Sequence, residues 1–487
     1  MKNRLAFILF LFVLTTSFYK AQNNTFSPYS RYGLGDMNST VFAHTAAMGG
    51  AYVALKPDSG ALRNGMAEAM FINAGNPAAY PYIKYSTLEV GGTFINSTFK
   101  GNNSSLNKWA TNFTYGALGF PIRTNGGACF GIMPYSSVGY DLKNTVTEEG
   151  IGSVSYLYSG SGGLNKVFAG YGIMPFKKAL INFRTHNLYV ADSLKTLGQG
   201  AYKVKELGNK LLSDLSIGFN ANYIFGSMEQ KARVVYPNSV FFNNTYRERS
   251  LTLGDFTGNF GIQTAITIDS IKQKDGLRKR PMAEKVKITF GYYMALNNAL
   301  KVNYDAKVLN YILNSGGSEV IRDTVLYIAD QKGTITLPLE QGFGIGFKKG
   351  ERINVVADFA ITNWSQFKYL DNVSDLKDNY RVALGVNYVP EKYASGSGAF
   401  FRKLNYRFGL NYNTGYINIK NTIISSYGIT AGLGIPVGIG RLSSMVNVSV
   451  QYGQMGTTNN NLIKENYWKV NFGFNFSDRW FQKFRHD

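Results

Sequence analysis

The chain is almost without cysteine: 487 residues carry one, Cys129. A single thiol excludes an intramolecular disulfide framework and a cysteine-built metal site. In an oxidising compartment it reads as a small apolar filler. Histidine is nearly as scarce, with His44, His186 and His486 the only three. None falls on a strongly alternating segment, and a nucleophile–base pair needs its histidine held on a rigid element. No catalytic residue is assigned, and the chain reads as a non-enzyme. Asp371, Asp375 and Asp378 lack the glycine and spacing of a calcium loop. Glycine-rich stretches such as Gly160–Gly163 follow no strand-to-helix phosphate-binding pattern. No metal and no cofactor are expected. No apolar run is long enough to span a bilayer as a helix. The short run Leu5–Val13 follows Lys2 and Arg4, so residues 1–21 read as an export signal cleaved after Ala21.

Acidic residues are also few, 30 against 51 basic ones, for a formal charge of +21. Loss of Lys2, Arg4 and Lys20 with the signal would leave this near +18. The basic residues are dispersed and form no recognisable nucleic-acid module, so no nucleic acid is expected as partner. Contact with anionic lipid and lipopolysaccharide phosphates accounts for them better.

What the chain does have is alternation. Trp468, Val470, Phe472, Phe474 and Phe476 share one parity, and Lys469, Asn471, Gly473 and Asn475 the other. That is a strand with one apolar and one polar face. The pattern predicts about fourteen strands: 85–99, 107–120, 128–142, 160–174, 213–228, 250–269, 284–297, 334–348, 351–363, 379–389, 403–416, 426–436, 441–453 and 466–476. An all-β transmembrane antiparallel barrel in the outer membrane of a Gram-negative bacterium satisfies an even strand count and the lack of apolar helices together. The short links Arg123–Gly127, Lys349–Gly350 and Val437–Arg441 would be periplasmic. The long polar links Glu229–Ser250 and Lys301–Gly333 would be extracellular loops. Residues 85–476 would form the barrel and 477–487 a periplasmic tail.

Two segments break the pattern. Residues 176–212 form a long link whose second half places Leu194, Leu197, Val204, Leu207 and Leu211 near helical spacing. A partly helical periplasmic insertion would pack under the barrel mouth or dock a partner. Residues 22–84 are rich in small and turn-forming residues. They would hang in the periplasm or fold into the lumen as a plug (hatch).

This N-terminal segment carries a resemblance. Met48-Gly49-Gly50-Ala51 followed by Asn76-Pro77-Ala78, before the first strand, is similar to the pattern of the FadL/TodX family of outer-membrane hydrophobic-compound transporters. Further on, Ile335–Pro338 before Gly342–Gly346 resembles that family's Leu-Pro strand. Ala357–Phe367, with Asp358 on the strand and Trp364-Ser365 at its end, resembles the next one. Ser27–Asp36 and Phe474–Phe481 look like the Bacteroidota version, and a PorV-like branch of the family serves secretion machinery. The resemblance implies a fourteen-stranded barrel with a hatch that includes Arg31, Met48, Gly49, Gly50, Asn76 and Pro77. Asp358 would face lumen or hatch, paired with a cation such as Arg31 or held by a structural hydrogen bond. Two functions follow as expectations. One is passage of a hydrophobic small molecule, fatty-acid or aromatic-like, which needs a pocket lined by Phe, Leu, Ile and Met. The other is a non-transporting barrel subunit of a secretion or assembly machine, with a packed lumen and protein partners docked through loops and the 176–212 insertion.

Overall fold

The computed structural model describes residues 24–38, 41–57, 70–102, 104–177, 208, 210–237, 242–268, 270–273, 276–279, 285–314, 316–370, 372–439 and 442–478. The export signal expected over 1–21, most of the 176–212 insertion and most of the tail expected over 477–487 lie outside these residues.

The strands that position the rest are β1 (Asp36–Met37), β2 (Ser86–Lys100), β3 (Ser105–Ile122), β4 (Gly126–Glu148), β5 (Gly152–Ile173), β6 (Ser216–Val235), β7 (Asn244–Ile268), β8 (Val286–Ala295), β9 (Ala299–Leu313), β10 (Glu319–Thr336), β11 (Glu340–Lys349), β12 (Ile353–Thr362), β13 (Asn379–Tyr388), β14 (Asn405–Asn413), β15 (Ser426–Ile439), β16 (Leu442–Met455) and β17 (Lys464–Asp478). From β2 onward, chain neighbours pair antiparallel around a ring. It closes where β2 meets β17, from Ser86 opposite Asp478 to Lys100 opposite Lys464. Two wall strands are interrupted. Val286–Ala295 pairs with the lower half of β7 and Val302–Tyr311 with its upper half, so β8 and β9 run end to end. β11 and β10 lie beside them in the same order. With each interrupted strand taken as one, the barrel has fourteen strands and no open edge in its lower half.

The alternation explains why this sequence closes. On β17, Trp468 and Phe472 are exposed on the outer face, while Glu465, Asn475 and Ser477 are buried toward the interior. On β6, Ile217, Phe219 and Tyr223 point out and Ser216, Asn220 and Asn222 point in. An apolar outer belt over a polar inner face is what a hydrocarbon solvent selects.

The upper wall departs from expectation. Glu229–Ser250 and Lys301–Gly333 are largely strand rather than loop: β6, β7, β9 and β10 continue well past a membrane's height. Main-chain pairing needs no amphipathic alternation once both faces meet water, so the sequence pattern fades while the ladder continues.

One seam is incomplete. β3 pairs with β4 only from Gly116 opposite Ile132 down to Ile122 opposite Gly126. Above it, Ser105–Tyr115 pairs with β2 alone among the described residues. The register of β4 against β5 shifts between Pro134 and Ser136, next to a residue with no N–H to give. The open side of β4 is taken by β1, with Asp36 opposite Ser137 and Met37 opposite Ser136. Asn38 N donates to Tyr135 O at 3.0 Å, extending the pairing.

The belt gives a direct test. Phe472→Arg on the lipid face should destabilise the barrel by about 2–4 kcal/mol in denaturant unfolding from lipid bilayers. Asn471→Ser, on the inner parity, should change it far less. Equal costs would put the two faces the wrong way round.

Candidate functional site

The interior is built from the N-terminal segment and the inward-facing residues of the wall. Met48-Gly49-Gly50 crosses β13 and β14 where Gly385 and Gly409 lie opposite each other. A Cβ on Gly409 would stand 2.1 Å from Gly49 N, and one on Gly385 2.5 Å from Met48 O. Gly49 and Gly50 themselves have φ of 67° and 76°, a region that L side chains rarely enter. The crossing is fastened by polar groups. Gly49 N donates to Thr430 Oγ1 and that hydroxyl donates to Ala47 O, each at 3.0 Å. Arg381 donates to Gly50 O at 3.1 Å.

The next turn, Tyr52–Leu55, is clamped from two wall strands and from the segment itself. Asp358 on β12 accepts from Tyr52 N at 2.5 Å and Val53 N at 2.8 Å. Asn76 Nδ2 donates to Val53 O at 2.8 Å, and Asn73 Nδ2 to Tyr52 O at 2.7 Å and Leu55 O at 2.9 Å. Gln263 on β7 donates to Val53 O at 2.7 Å. Asn76 also caps the 3₁₀ turn Pro77–Tyr82, its Oδ1 accepting from Ala78 N at 3.1 Å. Pro77 stands where no N–H is required. Lower down, Glu89 accepts from Ile72 N at 2.6 Å and Asn475 donates to Met70 O at 2.7 Å. Near the turn before β6, Lys56 Nζ meets Asp214 Oδ2 at 3.1 Å and donates to Tyr82 Oη at 2.8 Å. Burial pulls the Lys56 ammonium down to about 7, and the Asp214 carboxylate opposes that shift. The partners of the segment thus come from strands all around the ring.

Of the two arrangements open to Asp358, the fold makes the structural hydrogen bond: the carboxylate is buried and its partners are peptide N–H groups, not Arg31. The Arg31 guanidinium instead lies 4.7 Å over the Tyr158 ring, and its carbonyl accepts from Gln230 at 3.2 Å. The two residues are held by different strands and never meet. Trp364 is buried at the end of β12, stacked on Tyr416 at 4.1 Å. It belongs to a large apolar cluster that joins Leu34 to the upper wall through Leu164, Ile224, Leu253 and Leu300. Of the insertion residues, Leu194, Leu197, Val204 and Leu207 lie outside the described residues. Leu211 is half-buried, and its carbonyl accepts from Thr264 at 2.6 Å.

Asn73, Gln263, Thr430 and Glu89 were not singled out from the sequence. The one available signal was their place on strands' inner parity or beside the Asn-Pro turn.

The remaining space is of mixed character. A cavity of about 340 Å³ runs from the β3–β4 seam across the interior and is lined by Asp36, Lys108, Arg381, Glu465 and Lys469 among others. A second, of about 220 Å³, sets Lys166, Glu340 and Arg381 among Tyr52, Ile224, Tyr293, Leu296, Leu337 and Trp364. Both place charged groups beside apolar ones, so neither is lined by Phe, Leu, Ile and Met alone.

A closed fourteen-strand barrel with an apolar belt defines an integral protein of the Gram-negative outer membrane. Its fold is similar to the Pseudomonas putida toluene transporter TodX, with 13% identity, a TM-score of 0.51, and 91% of this chain and 99% of that one covered. A Pseudomonas aeruginosa FadL homologue (11% identity, TM-score 0.45, 91% and 98% covered) and the CymD monoaromatic hydrocarbon channel (12%, 0.45, 93% and 100%) also match. No curated protein matches the sequence. The BamG family model matches residues 1–190 and 191–487, and the chain belongs to the BamG family.

The clamp can be tested residue by residue. Asp358→Ala strips two buried N–H groups of their acceptor, at about 1–3 kcal/mol each. It should expose residues 41–57 to protease in a barrel that keeps its heat-modifiable gel mobility. Asp358→Asn retains an acceptor oxygen and should fall between. Gly409→Val, which forces a side chain into the Gly49 backbone, should expose the segment at least as much as Asp358→Ala. Full protection in both the alanine and valine variants would show that neither contact holds the segment.

Proposed function

We propose that this protein is a sealed barrel subunit of an outer-membrane secretion or assembly machine, with residues 22–84 as its plug, and that it works through its surfaces rather than its lumen. The observation that carries this is what remains inside the ring. The N-terminal segment takes hydrogen bonds from strands all round the wall, and each of the two residual cavities holds several charged side chains among its apolar ones. An apolar guest there would strip water from Asp36, Glu465, Lys469 and Arg381 without replacing their partners. A PorV-like role beside secretion proteins fits the same arrangement, as does docking through the 176–212 insertion.

A second reading has its own observation. The β3–β4 seam lies beside the larger cavity, with Leu106, Trp109 and Phe113 exposed on its lip. A hydrophobic small molecule could pass through the wall there if the 24–38 segment moved aside. Likeness of fold to hydrocarbon channels supports this only as analogy.

The two readings separate in one strain. Met37→Cys with Ser136→Cys would lock β1 to β4 and shut the seam; Cys129 is buried and leaves the pairing unambiguous. For a sealed subunit, the locked protein should support wild-type growth, and native extraction should return stoichiometric partner proteins. Loss of growth on locking with partners retained, or a barrel that purifies alone with a hydrocarbon-like ligand, would overturn the subunit reading in favour of passage.

A further inference from the structure

Among the described residues, the upper wall leaves three strand edges open. On β3, Ser105–Tyr115 pairs on one side only. β4 is covered by the chain itself only at Tyr135–Ser137, through β1 and Asn38, and at Gly139, through Ser30 Oγ. The third and most apolar edge is that of β10. β10 pairs with β9 on one side from Glu319 to Thr336. On its other side, only Ile335 and Thr336 find a strand partner, at Tyr369 and Lys368. Among the described residues, Glu319–Gly333 therefore presents a row of peptide N–H and C=O groups with no strand beside it. At roughly 3.3 Å per residue, that row is on the order of 45 Å long.

Natural proteins blunt such edges with proline, lysine, bulges or a covering element. Here there is no proline between Glu319 and Gly333, and the one lysine, Lys332, sits at the base. β10 does carry bulges: its register against β9 shifts at Arg322, at Val325 and at Ala329–Asp330, and between the last two Leu326-Tyr327-Ile328 is a regular run opposite Val308, Lys307 and Ala306. Large apolar side chains stand exposed among the polar ones: Tyr327 is 70% exposed, Ile321 59% and Val325 57%, with Val320 and Leu326 exposed beside them. No strongly apolar surface is expected this far from lipid unless something covers it.

The backbone dictates what that something is. A row of alternating donors and acceptors is matched only by another extended chain. The charges along the edge, Arg322 and Lys332 against Glu319, Asp323 and Asp330, alternate in sign, and Glu319 is already engaged with Arg233. They select no strongly charged partner. We infer that β10 is a docking edge at which an extended, near-neutral, apolar-patterned segment of a partner polypeptide adds a strand to the extracellular wall. This rests on the subunit reading above and gives it a surface.

A photo-crosslinking residue placed at Ile321 or Tyr327 in whole cells tests it. Strand addition expects both to crosslink one segment of one partner, at sites about four to six residues apart in that partner, since β10 bulges at Arg322 and Val325 between them. Proline adds a second, local readout. At Leu326 and Tyr327, neighbouring N–H groups point to opposite sides of the strand. One of Leu326→Pro and Tyr327→Pro should break the β9 ladder and destabilise the hairpin. The other should leave the fold intact yet lower crosslinking from Ile321 by about tenfold, since it removes one hydrogen bond and adds a clash on the docking side. Crosslinks to β10 of a second copy, to lipopolysaccharide alone, or to scattered sites would overturn the inference, as would two proline variants that both fold and both crosslink normally. If wild-type protein co-purifies with partners but none crosslinks to β10, the docking edge fails while the subunit reading stands. If no partner co-purifies at all, the subunit reading fails as well.

Discussion

Everything in this molecule depends on the need to pair each main-chain N–H and C=O where no water can. In hydrocarbon an unpaired peptide group costs several kcal/mol, so a sheet must close on itself. Here the closing contact is β2 against β17, made over the full length of both strands. Once the ring is fixed, the facing of every residue follows. Apolar side chains turn to lipid, and polar ones are left inside with no solvent of their own. The interior then faces a second version of the same problem, because buried Asp, Asn, Gln and Glu side chains need partners too.

The N-terminal segment answers both needs. Its backbone is irregular and could not stand alone in a dry space. Its N–H and C=O groups are met by the wall's inward side chains and by its own amides: Asp358 takes two N–H groups, and Gln263 on the wall with Asn73 and Asn76 of the segment takes three carbonyls. Glycines on the wall let main chain lie against main chain at Gly385 and Gly409, so the segment is held by many modest bonds spread around the ring. Wall and segment therefore satisfy each other. Neither the inward polar residues nor the turn-rich stretch would be stable choices without the other.

The sequence shows the wall more plainly than it shows the interior, for a physical reason. Lipid on one side and a polar interior on the other write a period of two into Leu215–Phe225 or Trp468–Phe476, and each of the fourteen segments read that way lies on a wall strand. Above the membrane that contrast disappears. In Glu319–Gly333 both faces are exposed, the residues obey no parity, and a strand looks like a polar loop. Inside, Asp358 was legible as an inward carboxylate, but its partners were not. Peptide N–H groups leave no mark in a sequence, so a structural hydrogen bond could be expected there without its donors being named, whereas the one partner that could be named, Arg31, is one the fold does not supply. Gln263 and Thr430 were hidden likewise: a polar residue on an inner parity looks the same whether it meets water or clamps a turn.

The seam between β3 and β4 shows how far the pairing rule constrains the rest. The two strands pair over seven positions from the periplasmic turn, which, tilted, reach only about 18 Å of a belt some 25 Å tall. Above that point β4 would present bare peptide groups near the outer leaflet, a cost no soluble loop incurs. β1 and Asn38 supply the missing partners to Tyr135, Ser136 and Ser137. The segment is thus part of the wall as well as its filling, and displacing it would open a main-chain edge toward lipid. Any mechanism that moves residues 24–38 must offer those groups other partners, whereas one that leaves them in place has only the upper, water-facing edges to work with. That asymmetry is why the exposed extracellular sheet, rather than the seam, is the part of this barrel free to engage something new.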